Sequence, residues 1–275
     1  PKPVTYSAHF ILEYLLFLPS NLNINHFPLK HQYSMPRFYV PHPLSASQNL
    51  VLPDSVTRHL QVLRQREGDT IILFNGNGND YPAKLVSLAK RHAEVIILDE
   101  VTLTNESPLH ITLIQAISSG ERMDFTLQKS VELGVVAIQP VLSERCVVRL
   151  SGERADKRMA RWQDIVISAC EQSGRAIVPP VLPILSYNNA LPTMPGGTLK
   201  LLLSLNHAQS LSTFTPELQK IAFMVGPEGG WTNAEEQLAF NAGFHSITLG
   251  PRVLRTETAA LAALAAMQTL WGDFT

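Results

Sequence analysis

Two glycine–proline turns constrain this chain more than any other feature. The first is Gly226-Pro227-Glu228-Gly229-Gly230, and the second opens Gly250-Pro251-Arg252-Val253-Leu254-Arg255-Thr256-Glu257-Thr258. Each follows a short apolar run that predicts a buried strand, Ile221–Val225 and Ile247–Leu249, and each leads into a helix. Thr232 is a favourable N-cap and Glu235 completes a capping box; that helix is expected to run to about Asn241 and stop at Gly243. The second helix is expected from near Thr256 through Ala259–Trp271. Strand–loop–helix twice over is the pattern of an α/β fold with parallel strands. In such sheets ligands sit beyond the carboxyl ends of the strands, so both loops belong on one rim and can share one site.

A plain connection does not need this composition. Glycines let a ligand approach the backbone, and proline stiffens the loop around it. One such turn alone is most simply structural. Two in tandem, the second carrying Arg-x-x-Arg-Thr-Glu-Thr, read as a site.

Val225-Gly226-Pro227-Glu228-Gly229-Gly230 and Leu249-Gly250-Pro251-Arg252-Val253-Leu254-Arg255-Thr256-Glu257-Thr258-Ala259 resemble the signature motifs of the RsmE family. These are S-adenosylmethionine-dependent methyltransferases of the SPOUT class that methylate N3 of a uridine in small-subunit ribosomal RNA. Ser107-Pro108-Leu109, Glu121-Arg122-Met123, Gln128–Gly134, Ser143-Glu144-Arg145 and Ala169–Arg175 agree in order and spacing, so the likeness runs from about Met35 to the C-terminus. It implies a SPOUT (trefoil-knotted) parallel-sheet methyltransferase domain over residues 107–275, preceded by a small PUA-like β-barrel over 35–106 that docks RNA. Met35-Pro36-Arg37-Phe38-Tyr39-Val40 resembles the usual family start, so residues 1–34 are expected to be a non-conforming, weakly ordered extension. The resemblance further implies S-adenosylmethionine as cofactor, 16S ribosomal RNA in the small subunit as partner, a homodimer, and a cytoplasmic location.

The residues assign roles within that frame. Cofactor contacts are expected from Val225 to Gly230, Leu249, Gly250, Arg252, Val253, Thr258 and Ala259, with Leu249 and Leu254 placed to sandwich an adenine. Leu199–Leu205 is a further strand, with Leu203 and Leu205 also expected as cofactor contacts, and the following Asn206-His207-Ala208 brings a third loop to the rim. Uracil N3 carries a proton and is a poor nucleophile until it leaves, so a base and a cation beside the uridine anion are useful. Arg255 is the electrostatic candidate. Glu257 and Glu228 are the base candidates, although a carboxylate beside Arg252 or Arg255 has its pKa lowered and either can equally be a structural partner of those arginines.

The net charge is −1, so RNA must meet a local patch rather than a global basic field. Candidates for phosphate contact are Arg37 and Arg64 in the barrel and Arg122, Lys129, Arg145, Arg149 and Arg175 beyond it. The stretch 143–162 holds six basic against three acidic residues; the alternative is a helix surface laced with ion pairs. The two cysteines, Cys146 and Cys170, form no Cys-x-x-Cys, and the histidines lack metal spacing, so neither a disulfide scaffold nor a metal site is expected. Ile11–Leu18 is too short to span a bilayer. The last helix is apolar on nearly all sides, with Leu261, Leu264, Met267, Leu270 and Trp271 among alanines, which calls for cover by a partner subunit as well as the sheet. A fold of this kind acting on a ribose 2′-hydroxyl or another base, and a ribosome-binding factor without catalysis, are the alternative functions.

Overall fold

The computed structural model describes residues 35–193 and 196–274, so the expectation for residues 1–34 lies outside the described residues. The first part is a curled sheet of β1 (Arg37–Tyr39), β2 (Asn49–Val51), β3 (Thr70–Phe74), β4 (Asn79–Ala89), β5 (His92–Ile97) and β6 (Val101–Thr102), with α1 (Asp54–Val62) across it. Its order is β1-β3-β4-β5-β2, with β6 against the start of β4. β1 runs parallel to β3 and the other pairings are antiparallel. The turn between β3 and β4 holds Gly76 and Gly78 at φ of 90° and 93°, where only glycine is at ease. β2 and β6, at three and two residues, are too short for alternation to register in the sequence. Phe38, Leu60, Ile71, Leu73, Tyr81, Leu85, Val95 and Ile97 fill its core.

The second part alternates strand and helix: β7 (His110–Ala116), α2 (Gly120–Glu132), β8 (Ala137–Leu142), α3 (Gly152–Ser173), β9 (Leu185–Ser186), β10 (Leu199–Leu203), β11 (Gln209–Ser210), β12 (Lys220–Val225), α4 (Asn233–Asn241), β13 (His245–Thr248) and α5 (Thr256–Trp271). The sheet order is β11-β13-β10-β12-β7-β8-β9 and every pairing is parallel, as the alternation predicts. β12 is buried from Ile221 to Val225, which suits a central strand covered on both faces. The capping box at Thr232 and Glu235 forms with both reciprocal bonds, and α3 ends on Gly174 at φ 80°. β13 occupies the slot between β10 and β11, so the segment Ser204–Ala208 bridges from one side of that strand to the other.

Thr104–Pro108 reads in the sequence as a polar linker, and the structure ties it down. Asn105 donates to the Gly174 carbonyl at 2.9 Å, Glu106 takes a two-pronged ion pair from Arg175, and Ser107 Oγ donates to Gln268 Oε1 at 2.7 Å. Phe74 of β3 packs into the core of the second part, and the Tyr39 N–H of β1 donates to Glu171 on α3 at 3.0 Å. Two cores therefore share one compact unit.

This docking corrects two RNA-contact expectations. Arg175 is 5 % exposed; beyond Glu106, its Nη1 donates to the Val131 and Val135 carbonyls at 2.9 Å each, leaving no face for a phosphate. Arg37 pairs with buried Asp80, lies over the Phe74 ring and donates to the Arg175 carbonyl. Both arginines join the two parts of the molecule. Cys170 is a packed thiol, as its place on an apolar stripe predicts: burial pushes its pKa up to about 12, far from a nucleophilic thiolate.

Candidate active site

A cavity of about 720 Å³ opens at the carboxyl ends of β10, β12 and β13, where the sheet rule places a ligand. Three loops line it. Leu203 to Asn206 come from the end of β10, Val225 to Trp231 from the end of β12, and Thr248, Leu249 and Arg252 to Glu257 from the end of β13. Of the expected cofactor residues, Leu203, Leu205, Val225 to Gly230, Leu249, Arg252, Val253, Leu254 and Ala259 line the wall, as do Arg255 and Glu257. Gly250 and Thr258 do not. Gly250 shapes the turn at φ 87°, and Thr258 lies on an exposed face of α5. His207 stands outside the cavity at φ 53°.

The two glycine loops are bonded to each other. Thr256, buried at the start of α5, donates its hydroxyl to the Gly226 carbonyl at 2.6 Å and accepts from Gln115 Nε2 at 3.2 Å. The glycines have internal reasons to be glycine. A Cβ on Gly226 would meet the Trp231 indole at 3.2–3.4 Å, and one on Gly229 would meet Arg145 Cβ at 3.1 Å. The closeness read from the sequence is thus an approach of protein to protein at these two positions. By contrast, the N–H groups of Gly250, Arg252, Val253 and Leu254 find no acceptor among the described residues and remain available to a ligand.

Charge gathers on one side of the mouth. Glu228 accepts from the Ser119 N–H at 3.0 Å, the Ser119 hydroxyl at 2.9 Å and Arg122 Nη1 at 3.1 Å. Burial pushes its carboxyl up, but these bonds and its own N–H outweigh that and hold it below the ordinary value. Glu257 stands in the first turn of α5 with Oε1 4.0 Å from Arg122 Nε, while its Oε2 is buried without a partner. Arg252 and Arg255 are exposed on the rim and make no ion pair among the described residues. On the other side, Glu236 of α4 reaches the end of β10 and accepts from Ser204 Oγ at 2.5 Å and Asn206 Nδ2 at 2.6 Å.

The remaining basic candidates lie in different settings. Arg122 belongs to the cavity wall. Arg145 donates to the Gly229 and Trp231 carbonyls, both at 3.0 Å, and so braces the first loop from behind. Arg149 holds the Ser143 and Glu144 carbonyls, Lys129 pairs with Glu132 at 2.8 Å, and Arg64 is exposed in the barrel. Trp231 and Glu236 were not read as site residues. Glu236 adjoins the capping Glu235, and only the fold turns one carboxylate to the cap and its neighbour to the cavity. Among the described residues no group of three or more His, Cys, Asp or Glu is arranged to hold a metal, and no helix is long and apolar enough to cross a membrane.

Residues 105–268 match the family described as RNA methyltransferase domain, and residues 52–98 match the RNA methyltransferase PUA domain. A crystal structure of a ribosomal RNA small subunit methyltransferase E from Neisseria gonorrhoeae, bound to S-adenosylmethionine, is 65 % identical with a TM-score of 0.85, covering 88 % of this chain and 100 % of that one. A protein from Legionella pneumophila described as a methyltransferase, solved with bound S-adenosylmethionine, is 37 % identical with a TM-score of 0.84 over 87 % of this chain and 99 % of its own. The ribosomal RNA small subunit methyltransferase E of Buchnera aphidicola (from Acyrthosiphon pisum) is 33 % identical over 241 residues, 87 % of this chain and 95 % of its own length. Barrel, parallel sheet and rim cavity together define an RNA methyltransferase of the SPOUT class with its own PUA domain. Within that class, this chain belongs to the ribosomal RNA small subunit methyltransferase E family.

Proposed function

We propose that this chain methylates N3 of a specific uridine in 16S ribosomal RNA of the small subunit, with S-adenosylmethionine as donor and 3-methyluridine as product. The observation that carries this reading is the single rim cavity built from both glycine–proline loops, with free backbone donors on one of them and Arg255 and Glu257 at its edge. Its volume suits a ligand the size of the whole cofactor. Leu203, Leu249 and Leu254 offer apolar walls for the adenine, and the N–H groups of Arg252, Val253 and Leu254 offer donors for its polar edges. Bound there, the cofactor supplies an electrophilic methyl group on a sulfonium.

The chain's own residues prepare the acceptor. Glu257, whose Oε2 lacks a partner, takes the N3 proton; Glu228, ionised and held by three donors, keeps the first loop and Arg122 in place. Arg255 stabilises the negative charge left on the uracil oxygens, and N3 would then form its bond to the methyl carbon as the methyl–sulfur bond breaks and its electron pair leaves with S-adenosylhomocysteine. Arg64, Arg145 and Arg149 are the exposed cations offered to RNA phosphates.

The active form is a homodimer in the cytoplasm. Supporting this, α5 leaves an apolar strip of Leu261, Ala262, Ala265, Ala266 and Leu270 half-buried or exposed, a face that a second copy would cover. The bridge of Ser204–Ala208 over the β13 slot is consistent with passage of the last segment through that loop as a trefoil knot.

The test is transfer of labelled methyl from S-adenosylmethionine to small subunits lacking the modification, followed by nucleoside analysis. Label in 3-methyluridine is expected. Label in a ribose or another base keeps the class and moves the target, and absence of both transfer and cofactor binding leaves the non-catalytic ribosome factor.

A further inference from the structure

Three carboxylates line the cavity, and their charges are met differently. Glu228 lies 3.1 Å and Glu257 4.0 Å from Arg122. Glu236 has no Lys, Arg or His within ion-pair distance among the described residues; both donors it accepts from, Ser204 Oγ and Asn206 Nδ2, are neutral. Its residue is only 7 % exposed, and it faces the cavity.

A carboxylate taken out of water without a cation is costly unless something else meets its charge. Two hydrogen bonds leave part of its acceptor capacity open, since each oxygen offers about two lone-pair sites. We propose that Glu236 supplies the countercharge for a cationic group of the bound cofactor, its amino-acid ammonium or its sulfonium. Glu236 thereby makes the site prefer a positively charged ligand. It also explains why a carboxylate sits there when a neutral side chain would satisfy Ser204 and Asn206 equally well. This inference rests on the cofactor reading above.

The experiment is calorimetric titration of the full chain and its Glu236→Gln variant with three ligands: S-adenosylmethionine, S-adenosylhomocysteine and 5′-methylthioadenosine. The last is neutral and lacks the amino-acid end. Glutamine keeps an acceptor for Asn206 and a partner for Ser204, so the loop is retained. S-adenosylmethionine binding is expected to weaken about 10- to 100-fold in the variant while 5′-methylthioadenosine is unchanged. S-adenosylhomocysteine falling in step assigns the ammonium; S-adenosylhomocysteine unchanged assigns the sulfonium. Equal losses for all three ligands would reduce Glu236 to a holder of the β10 loop and overturn the proposal, as would unaltered S-adenosylmethionine affinity. Failure of the unmodified chain to bind S-adenosylmethionine would instead overturn the cofactor reading. Glu236→Asp, which keeps the charge, is expected to recover part of the lost affinity.

Discussion

Arg122 Nη1 lies 3.1 Å from Glu228 Oε1, although 106 residues separate the two in the chain. The contact joins the start of α2 to the first glycine–proline loop, and the same guanidinium reaches Glu257 of the second. Beside the Thr256–Gly226 bond, this side chain ties both loops to α2 at the cavity mouth. Arg122→Ala is expected to lower kcat/KM for methyl transfer about 100-fold through misplaced groups, with little change in melting temperature because the pair is partly exposed. A transfer assay beside a thermal melt checks both halves.

Arg255→Ala tests the electrostatic role directly. The side chain is exposed and makes no internal ion pair among the described residues, so its loss leaves the fold intact. Turnover is expected to fall about 100- to 1,000-fold with cofactor affinity retained. Full activity would remove Arg255 from the reaction.

Gly226→Ala places a Cβ against the Trp231 indole. Crowding of this kind costs about 1–3 kcal/mol. Combined with Trp231→Leu, the two changes are expected to be non-additive by about 1 kcal/mol, because the smaller side chain gives the new methyl room. Additive losses in urea denaturation would mean that the glycine is needed for another reason.

Arg175→Ala removes one half of a buried ion pair and the donor to two carbonyls. A loss of about 3–5 kcal/mol is expected. RNA affinity, measured below the melting transition, is expected to stay unchanged. A selective loss of RNA binding in a stably folded variant would restore Arg175 to the RNA surface.

Glu171 receives the Tyr39 N–H across the junction, and its carboxyl is raised above the ordinary 4.5 first by burial, against the lowering effect of that hydrogen bond. The native state therefore binds this proton more tightly than the unfolded chain. The group's contribution is full below 4.5 and declines as pH rises through the native pKa. Glu171→Gln keeps the acceptor and removes the charge. Denaturation across pH is expected to show the variant gaining on the unmodified chain between pH 4.5 and neutrality. An unmodified chain that gains on the variant as pH rises would contradict it.

Local chemistry in the sequence determined much of this protein. Apolar runs ending at Val225 and near Leu249, a capping box at Thr232 and Glu235, and two glycine–proline turns specify strand–loop–helix units, and their alternation specifies a parallel sheet with its site at the strand ends. These are short-range effects, legible wherever period and cap lie within a few residues of each other. What the charged side chains outside that capping box do was decided by the tertiary structure. Arg37 and Arg175 read as basic residues for RNA and became ties between two cores; Arg122 read the same way and became part of the cavity wall. Glu235 and Glu236 are adjacent, yet one closes a helix cap and the other faces the cavity. A charge takes its role from the partner it meets, and for Arg37, Arg122, Arg175 and Glu236 those partners lie between 30 and 138 residues away. Only closure of the sheet and the docking of the barrel bring them within hydrogen-bond reach.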